Sequence, residues 1–255
     1  MTLHKSDAII LKRDRSGESS LLVQAFLKHA GRQNMLANGA RKPGSALVGK
    51  LEPYSEVQVM YYQKNDESLA TISQISQIRT NADLSGDIRR LSYAAAVVEA
   101  IENMIFPDSE QEHLYNLITS TFYMMNYSSA KKLEFYFLVF LLKSLDLLGL
   151  SPQFDVCVKT GQPIESEEVF FGIEEGGIIS REYANGGSGY FKLDQGIIKA
   201  VRAARQNSID QLKGLNFSDK QKEIIKDLLF SFLNYHTDSK PSFNSLNFLS
   251  KLANF

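Results

Sequence analysis

The 255 residues contain no tryptophan, one cysteine, four histidines and six prolines. With Cys157 alone, no intramolecular disulfide can form, and the chain suits a reducing compartment. Long apolar runs are missing as well. The greasiest, residues 135–142, is eight residues long between Glu134 and Lys143, well short of the roughly 20 that cross a bilayer. Near the N-terminus only residues 8–11 are consecutively apolar, too few for the apolar region of a secretory signal. A cytoplasmic protein with no membrane partner is expected. Catalytic signatures are equally scarce. No GxxxxGK[ST] loop occurs, so a phosphate-loop ATPase is excluded, and GGSG at 186–189 reads as a turn. The acid pairs Glu167-Glu168 and Glu174-Glu175 have no histidine nearby to complete a metal centre. Cys157 has no neighbouring base in sequence. These absences lead to the expectation of a binding protein, not an enzyme, with no cofactor and no metal.

What is present is a charge asymmetry. The formal net charge is −1, yet residues 1–53 hold nine Lys/Arg and four acids, net +5, and the remainder is net −6. A basic end on a mildly acidic body suggests one polyanion-facing module and a second module with another task. The basic end centres on residues 31–53, GRQNMLANGARKPGSALVGKLEP, where Arg32, Arg41, Lys42 and Lys50 face a single acid, Glu52. Arg13 and Arg15 lie just upstream. Glycines and Pro43 break the stretch into short pieces, so backbone N–H groups and arginine forks could approach a phosphate chain closely. The same stretch also fits an ordinary solvated hairpin loop. Tyr54, Tyr61 and Tyr62 could stack bases or simply pack a barrel.

Residues 8–11, 20–27, 33–37, 57–62 and 69–75 read as five short strands, rich in β-branched and aromatic residues and separated by turn-formers. Five short strands in about 80 residues suit a small closed barrel, because closure removes exposed edges. An OB-fold, an SH3-like barrel and a translation-factor type domain all satisfy that count. After Asn81 the period changes. Ile88, Leu91, Ala95, Val98, Ile101 and Ile105 mark one face of a helix that Pro107 ends. Asp108-Ser109, with Gln111 and Glu112, is placed to cap a second helix. A third, about 130–148, is apolar nearly all round and reads as the centre of a bundle, with Gly149 at its C-terminal cap. Residues 193–206, 208–213 and 218–235 supply further helices, Ser218 and Gln221 having capping-box spacing, and the tail SLNFLSKLANF a short last one.

Between these helices, residues 154–190 are irregular and glycine-rich. Cys157-x2-Thr160 and Ser180-x2-Tyr183 have the frame of a four-cysteine zinc ribbon with three ligands replaced. Thr and Ser are poor zinc ligands and Tyr a rare one, so no zinc is expected. On spacing alone the frame could equally be coincidence.

Several motifs carry a family resemblance in order: DAIILKRDRSGESSLLVQAF, GARK at 39–42, GKLEP at 49–53, FLLKSLDLLGLSP at 140–152, GQP at 161–163, EEGGIIS at 174–180 and FLNYHTDSKPSFNSLNFL near the end. With them the chain resembles the bacterial RecO recombination-mediator proteins over essentially its full length. The resemblance implies an α+β architecture: an N-terminal five-stranded OB-fold β-barrel at 1–80, a helical domain at 81–153 and 190–255, and a degenerate, metal-free zinc-ribbon-like insert at 154–189. It also implies binding of single- and double-stranded DNA, annealing of complementary strands, and partnership with RecR, with RecF and RecA reached indirectly. The location implied is cytoplasmic and nucleoid-associated. Arg13, Arg15, Arg32, Arg41, Lys42 and Lys50 are then the candidate DNA contacts. The resemblance further implies capture of the acidic C-terminal tail of single-strand-binding protein, helping RecA onto coated DNA. Such a tail needs an apolar pocket ringed by cations, for which Lys199, Arg202, Arg205, Lys132 and Lys143 are candidates, with Lys131 nearby. Two other functions remain open: an OB-fold adaptor for structured RNA, and a nuclease or strand-processing enzyme with an OB specificity domain.

Overall fold

The computed structural model describes residues 2–65, 68–184, 189–237 and 242–253. The turn expected at 186–189 lies outside them except for Gly189, as do residues 238–241 of the closing motif. The chain divides into two compact units, Met1–Ala94 with Pro107–Tyr127 and Ala95–Phe106 with Ser128–Phe255. Among the described residues no helix is long and apolar enough to cross a membrane.

In the first unit, β1 (Thr2–Ser16), β2 (Ser20–Leu27), β3 (Gly31–Ala37), β4 (Glu56–Gln63) and β5 (Ala70–Arg79) close into a barrel ordered β1-β2-β3-β5-β4. β1 extends well past the expected residues 8–11. Its polar flanks end the apolar run but not the backbone pairing: Thr2 to Ile9 pair with β4, and Ala8 to Ser16 with β2. A register shift between Ile10 and Lys12 lets this one long strand serve both neighbours. Among the described strand pairings of the barrel, only β3 and β5 run parallel, with Met35 opposite Ala70. Alternate residues such as Ala8 and Ile10, Val23 and Ala25, and Val57 and Val59 point inward and form the core. The segment 38–55 returns across one end of this core, burying Ala40, Leu47 and Leu51 in it.

Three helices follow: α1 (Asp83–Gly86), α2 (Ile88–Asn103) and α3 (Gln111–Tyr127). Where a cap is expected at Asp108-Ser109, a 3₁₀ turn, Asp108–Glu110, follows Pro107, which supplies no side-chain cap. α3 belongs to the first unit, although a boundary at residue 80 assigns every helix to the second domain. The Tyr115 hydroxyl donates to Glu56 Oε1 at 3.1 Å, Lys28 pairs with Glu112 at 3.2 Å, and the Phe122 ring meets Tyr54 edge-on at 5.2 Å. Burial, reinforced by the Glu56 carboxylate, pushes the Tyr115 hydroxyl far above its usual pKa and keeps it a donor.

The second unit is built around α4 (Leu133–Leu147), whose residues 135–142 are completely buried. α5 (Gln195–Gln206), α6 (Asp219–His236), α7 (Asn244–Ala253) and the part of α2 from Ala95 onward belong to it as well. The expected cap at Ser218 and Gln221 forms as a full capping box. Gly149 ends α4 at φ +74, with Leu150 N–H donating to the Leu145 carbonyl at 3.0 Å. The insert is more regular than its composition suggests. β6 (Glu168–Gly172), β7 (Gly177–Ile179) and β8 (Tyr190–Asp194) form an antiparallel sheet ordered β7-β6-β8. β8 takes residues expected partly in a helix, and α5 starts after it, where Asp194 accepts the Ile197 N–H at 2.8 Å.

Candidate nucleic-acid interface

The pairing pattern decides where the basic residues of the first unit point. Arg13 lies opposite Val23 and Arg15 opposite Leu21. Cross-strand partners share a face, and both partners belong to or pack on the barrel core. The two arginines therefore continue the inward face of β1 past the end of the core, at the barrel's mouth. There they meet the returning segment. Arg13, Arg15 and Arg41 line one open cleft of about 500 Å³, floored by Leu21, Ala40, Leu47 and Leu51 and edged by Val48, Gly49, Asp14 and Glu52. Gly49 holds φ +75, a conformation that favours glycine.

The three arginines are not equally available. Glu52 grips Arg13 with both carboxylate oxygens, at 2.7 and 2.6 Å. Arg41 donates from Nη1 to the Glu18 carbonyl at 3.2 Å, and its backbone N–H to Ser19 at 2.8 Å, which fixes the loop beside the end of β1. Arg15 is exposed and, among the described residues, makes no ion pair or side-chain hydrogen bond.

The other basic candidates lie apart from these three. Lys42 is exposed and lays its stem beside Gly39. Lys50 is partly buried and donates to the Ile75 carbonyl at 3.4 Å. Arg32 pairs in register with Phe26, not with the inward residues of β2, and so lies on the other face of the sheet from Arg13 and Arg15. Of the three tyrosines, Tyr54 and Tyr61 are buried, Tyr54 against Phe122 and Tyr61 in the core with His4 stacked on it at 5.2 Å. They are barrel packing. Tyr62 is exposed opposite Leu3, near the beginning of β1 and away from its arginine end. The pairing of Glu52 with Arg13, across 39 positions of sequence, was not legible beforehand.

Four of the five candidate cations of the second unit hold backbone. Arg205 grips Asp146 with two nitrogens, at 2.6 and 3.2 Å, and donates to the Pro152 carbonyl at 2.6 Å. Arg202 donates to the carbonyls of Phe154 and Asp155 and pairs with Asp155 at 3.1 Å. Lys143 donates to the Arg205 carbonyl at 2.9 Å, and burial lowers its pKa. Lys132 donates to the carbonyls of Lys213 and Leu215. These four side chains thus clamp backbone beside α4 and α5. Lys199 is exposed and, among the described residues, has no such partner.

In the insert, Cys157 is fully buried. Burial pushes its thiol up, but the Thr160 hydroxyl and the backbone N–H groups of Ser180, Lys159 and Thr160 outweigh it and bring the pKa to about 7. Thr160 and Ser180 thus meet Cys157 as hydrogen-bond partners, while Tyr183 stays substantially exposed. Among the described residues no three His, Cys, Asp or Glu side chains gather as a metal-ligand set.

Comparison with known proteins covers nearly all of this chain. The family model described as Recombination protein O N terminal covers residues 1–81, and the one described as Recombination protein O C terminal covers residues 85–243. The chain belongs to the RecO family. It is 27% identical over 250 residues to the DNA repair protein RecO of Alkaliphilus metalliredigens, covering 98% of this chain and 100% of that protein. The DNA repair protein RecO of Desulforamulus reducens is 25% identical over 240 residues, covering 94% of this chain and 92% of the relative. That of Thermoanaerobacter sp. is 24% identical over 258 residues and spans both chains completely. The barrel with its arginine cleft thus falls in the N-terminal part of a RecO chain, and the clamped helical unit falls mainly in the C-terminal part.

Proposed function

We propose that this RecO-family protein acts in DNA repair and recombination by binding the phosphate backbone of single- and double-stranded DNA at the mouth of an OB-type barrel. The observation that carries the proposal is the convergence of Arg13, Arg15 and Arg41 on one open cleft. Arginine forks match phosphate oxygens in geometry and charge. Glu52 and the Glu18 carbonyl hold the Arg13 and Arg41 forks in place, while Arg15 is open to a ligand. Contacts of this kind read no bases, which suits a protein that must act on any sequence and anneal any complementary pair. Lys42 and Lys50 extend the path outward from the cleft, and Arg32 serves a separate stretch of backbone.

Glu52 is the built-in competitor. A phosphate can take Arg13 only by displacing a bidentate carboxylate. The Glu52→Gln variant should therefore bind DNA severalfold more tightly at low salt. The slope of log K against log salt should steepen by about 0.7–0.9, one phosphate contact. The exposed ion pair contributes little to stability, roughly 0–1 kcal/mol, so folding should be unaffected. Unchanged affinity and slope would take Arg13 out of the interface. A strand-annealing assay on DNA coated with single-strand-binding protein tests the larger function and separates it from an RNA adaptor, which would not accelerate annealing.

RecR, with RecF and RecA beyond it, is the partner set for this role. Capture of the acidic tail of single-strand-binding protein belongs to the second unit. Lys199 offers an exposed cation there, and Lys132, Lys143, Arg202 and Arg205 contribute what their backbone bonds leave over. The insert serves as a ribbon that has exchanged metal for hydrogen bonds around Cys157. Purified protein should then carry far less than one zinc per chain, and chelator should leave its melting temperature unchanged. Stoichiometric zinc would contradict this assignment.

A further inference from the structure

We propose that the groove between the insert sheet and α6 docks a partner peptide through an arginine or lysine side chain. The groove is a cavity of about 440 Å³ whose walls include Glu174, Glu175, Tyr190, Phe191, Asn234 and Tyr235. Among the described residues that line it there is no lysine or arginine. A cation meets there the open carboxylate of Glu174, with Glu175 held behind it, and three aromatic rings.

The groove is built before any ligand arrives. Glu175 folds back across the β6–β7 turn, where a Cβ at position 172 would sit 2.1 Å from its Oε2, so Gly172 is what allows the carboxylate to lie there. Its Oε1 accepts the Tyr190 hydroxyl at 3.0 Å, and Lys159 approaches it at 3.6 Å. Glu175 thus sits 13% exposed in one fixed position. Opposite it, His236 donates from Nε2 to the Ile173 carbonyl at 2.7 Å, which ties the end of α6 to the same turn. Glu174 is exposed and, among the described residues, has no ion pair. Tyr235, 56% exposed, offers its ring to the groove.

An ammonium or guanidinium placed between Glu174 and Tyr235 gains both ion pairing and cation–π attraction. The alkyl stem of a lysine or arginine fits along Phe191. Asn234 is at hand for the peptide backbone. The cavity admits one side chain and its flanking residues, not a folded surface, and its charge selects a basic peptide over nucleic acid.

The test is fluorescence anisotropy of the full chain with a short labelled Gly/Ser peptide containing arginine, beside the same peptide with citrulline. The arginine peptide should bind in a salt-sensitive manner and the citrulline peptide about tenfold or more weakly. Combining Glu174→Gln with Tyr235→Ala, both exposed, should raise the Kd for the arginine peptide about tenfold, with the melting curve and DNA affinity unchanged. Equal binding of the two peptides, no binding, or an unaffected double variant would each overturn the proposal. So would a concentration-dependent dimer that the same double variant abolishes, because the groove would then receive a second copy of this chain.

Discussion

Replacing Arg15 and Arg41 together with glutamate should weaken binding to both single- and double-stranded DNA by about a hundredfold near 0.1 M salt, because each lost phosphate contact there is worth roughly an order of magnitude. The two side chains line one cleft, one from the end of β1 and one from the segment that returns across the barrel. Neither holds the fold through an ion pair, Arg15 having no side-chain partner among the described residues and Arg41 a single bond to the Glu18 carbonyl. The loss should therefore appear in affinity and not in melting temperature. Over a salt titration the slope of log K against log salt should flatten by about 0.7–0.9 for each contact removed. Single strands should show the smaller change per contact. Because backbone contacts carry no sequence information, the loss should be uniform across sequences. A variant that loses affinity for some sequences only would mean that these arginines read bases.

Arg205→Ala should be the most destabilising single change among the cations of the second unit. Its guanidinium holds Asp146 and the Pro152 carbonyl at once, joining α5 to the end of α4 and to the segment entering the insert. Removing one partner of a largely desolvated pair strands the other. A fully buried pair would cost about 3–5 kcal/mol. With Arg205 20% and Asp146 32% exposed, water screens part of that, leaving roughly 1.5–3 kcal/mol. At this chain length such a loss lowers the melting temperature by about 3–12 °C. Asp146→Asn should cost less, since a neutral amide oxygen can still accept one bond. Lys199→Ala should change stability very little. If Arg205→Ala melts like the parent, the clamp is incidental and Arg205 is available for a ligand.

The balance between legible and hidden features follows from the range of the interactions. Runs of β-branched and aromatic residues between turn-formers marked all five barrel strands, and the all-round apolarity of residues 135–142 marked the buried helix, because burial leaves its imprint on the local sequence. Capping at Ser218 was readable for the same reason, its partner being three residues away. β1 was underestimated because its flanking charges end the apolar run while the backbone ladder continues. The insert sheet escaped notice because β7 has only three residues and its pairing to β6 crosses a glycine turn. The cation assignments depend most on tertiary contacts. Arg13 and Glu52 are 39 positions apart, and Arg205 and Asp146 are 59 apart. Composition could mark the residues as basic, but only the fold decides which carboxylate or carbonyl each one meets.

Hydrogen–deuterium exchange of the full chain, with and without a single-stranded oligonucleotide, locates the interface without any substitution. DNA should slow exchange in residues 38–52 and at the end of β1 around residues 12–16, and the protection should fade as salt is raised. Protection confined to residues 195–236, with the barrel mouth exchanging as in free protein, would contradict binding at the arginine cleft.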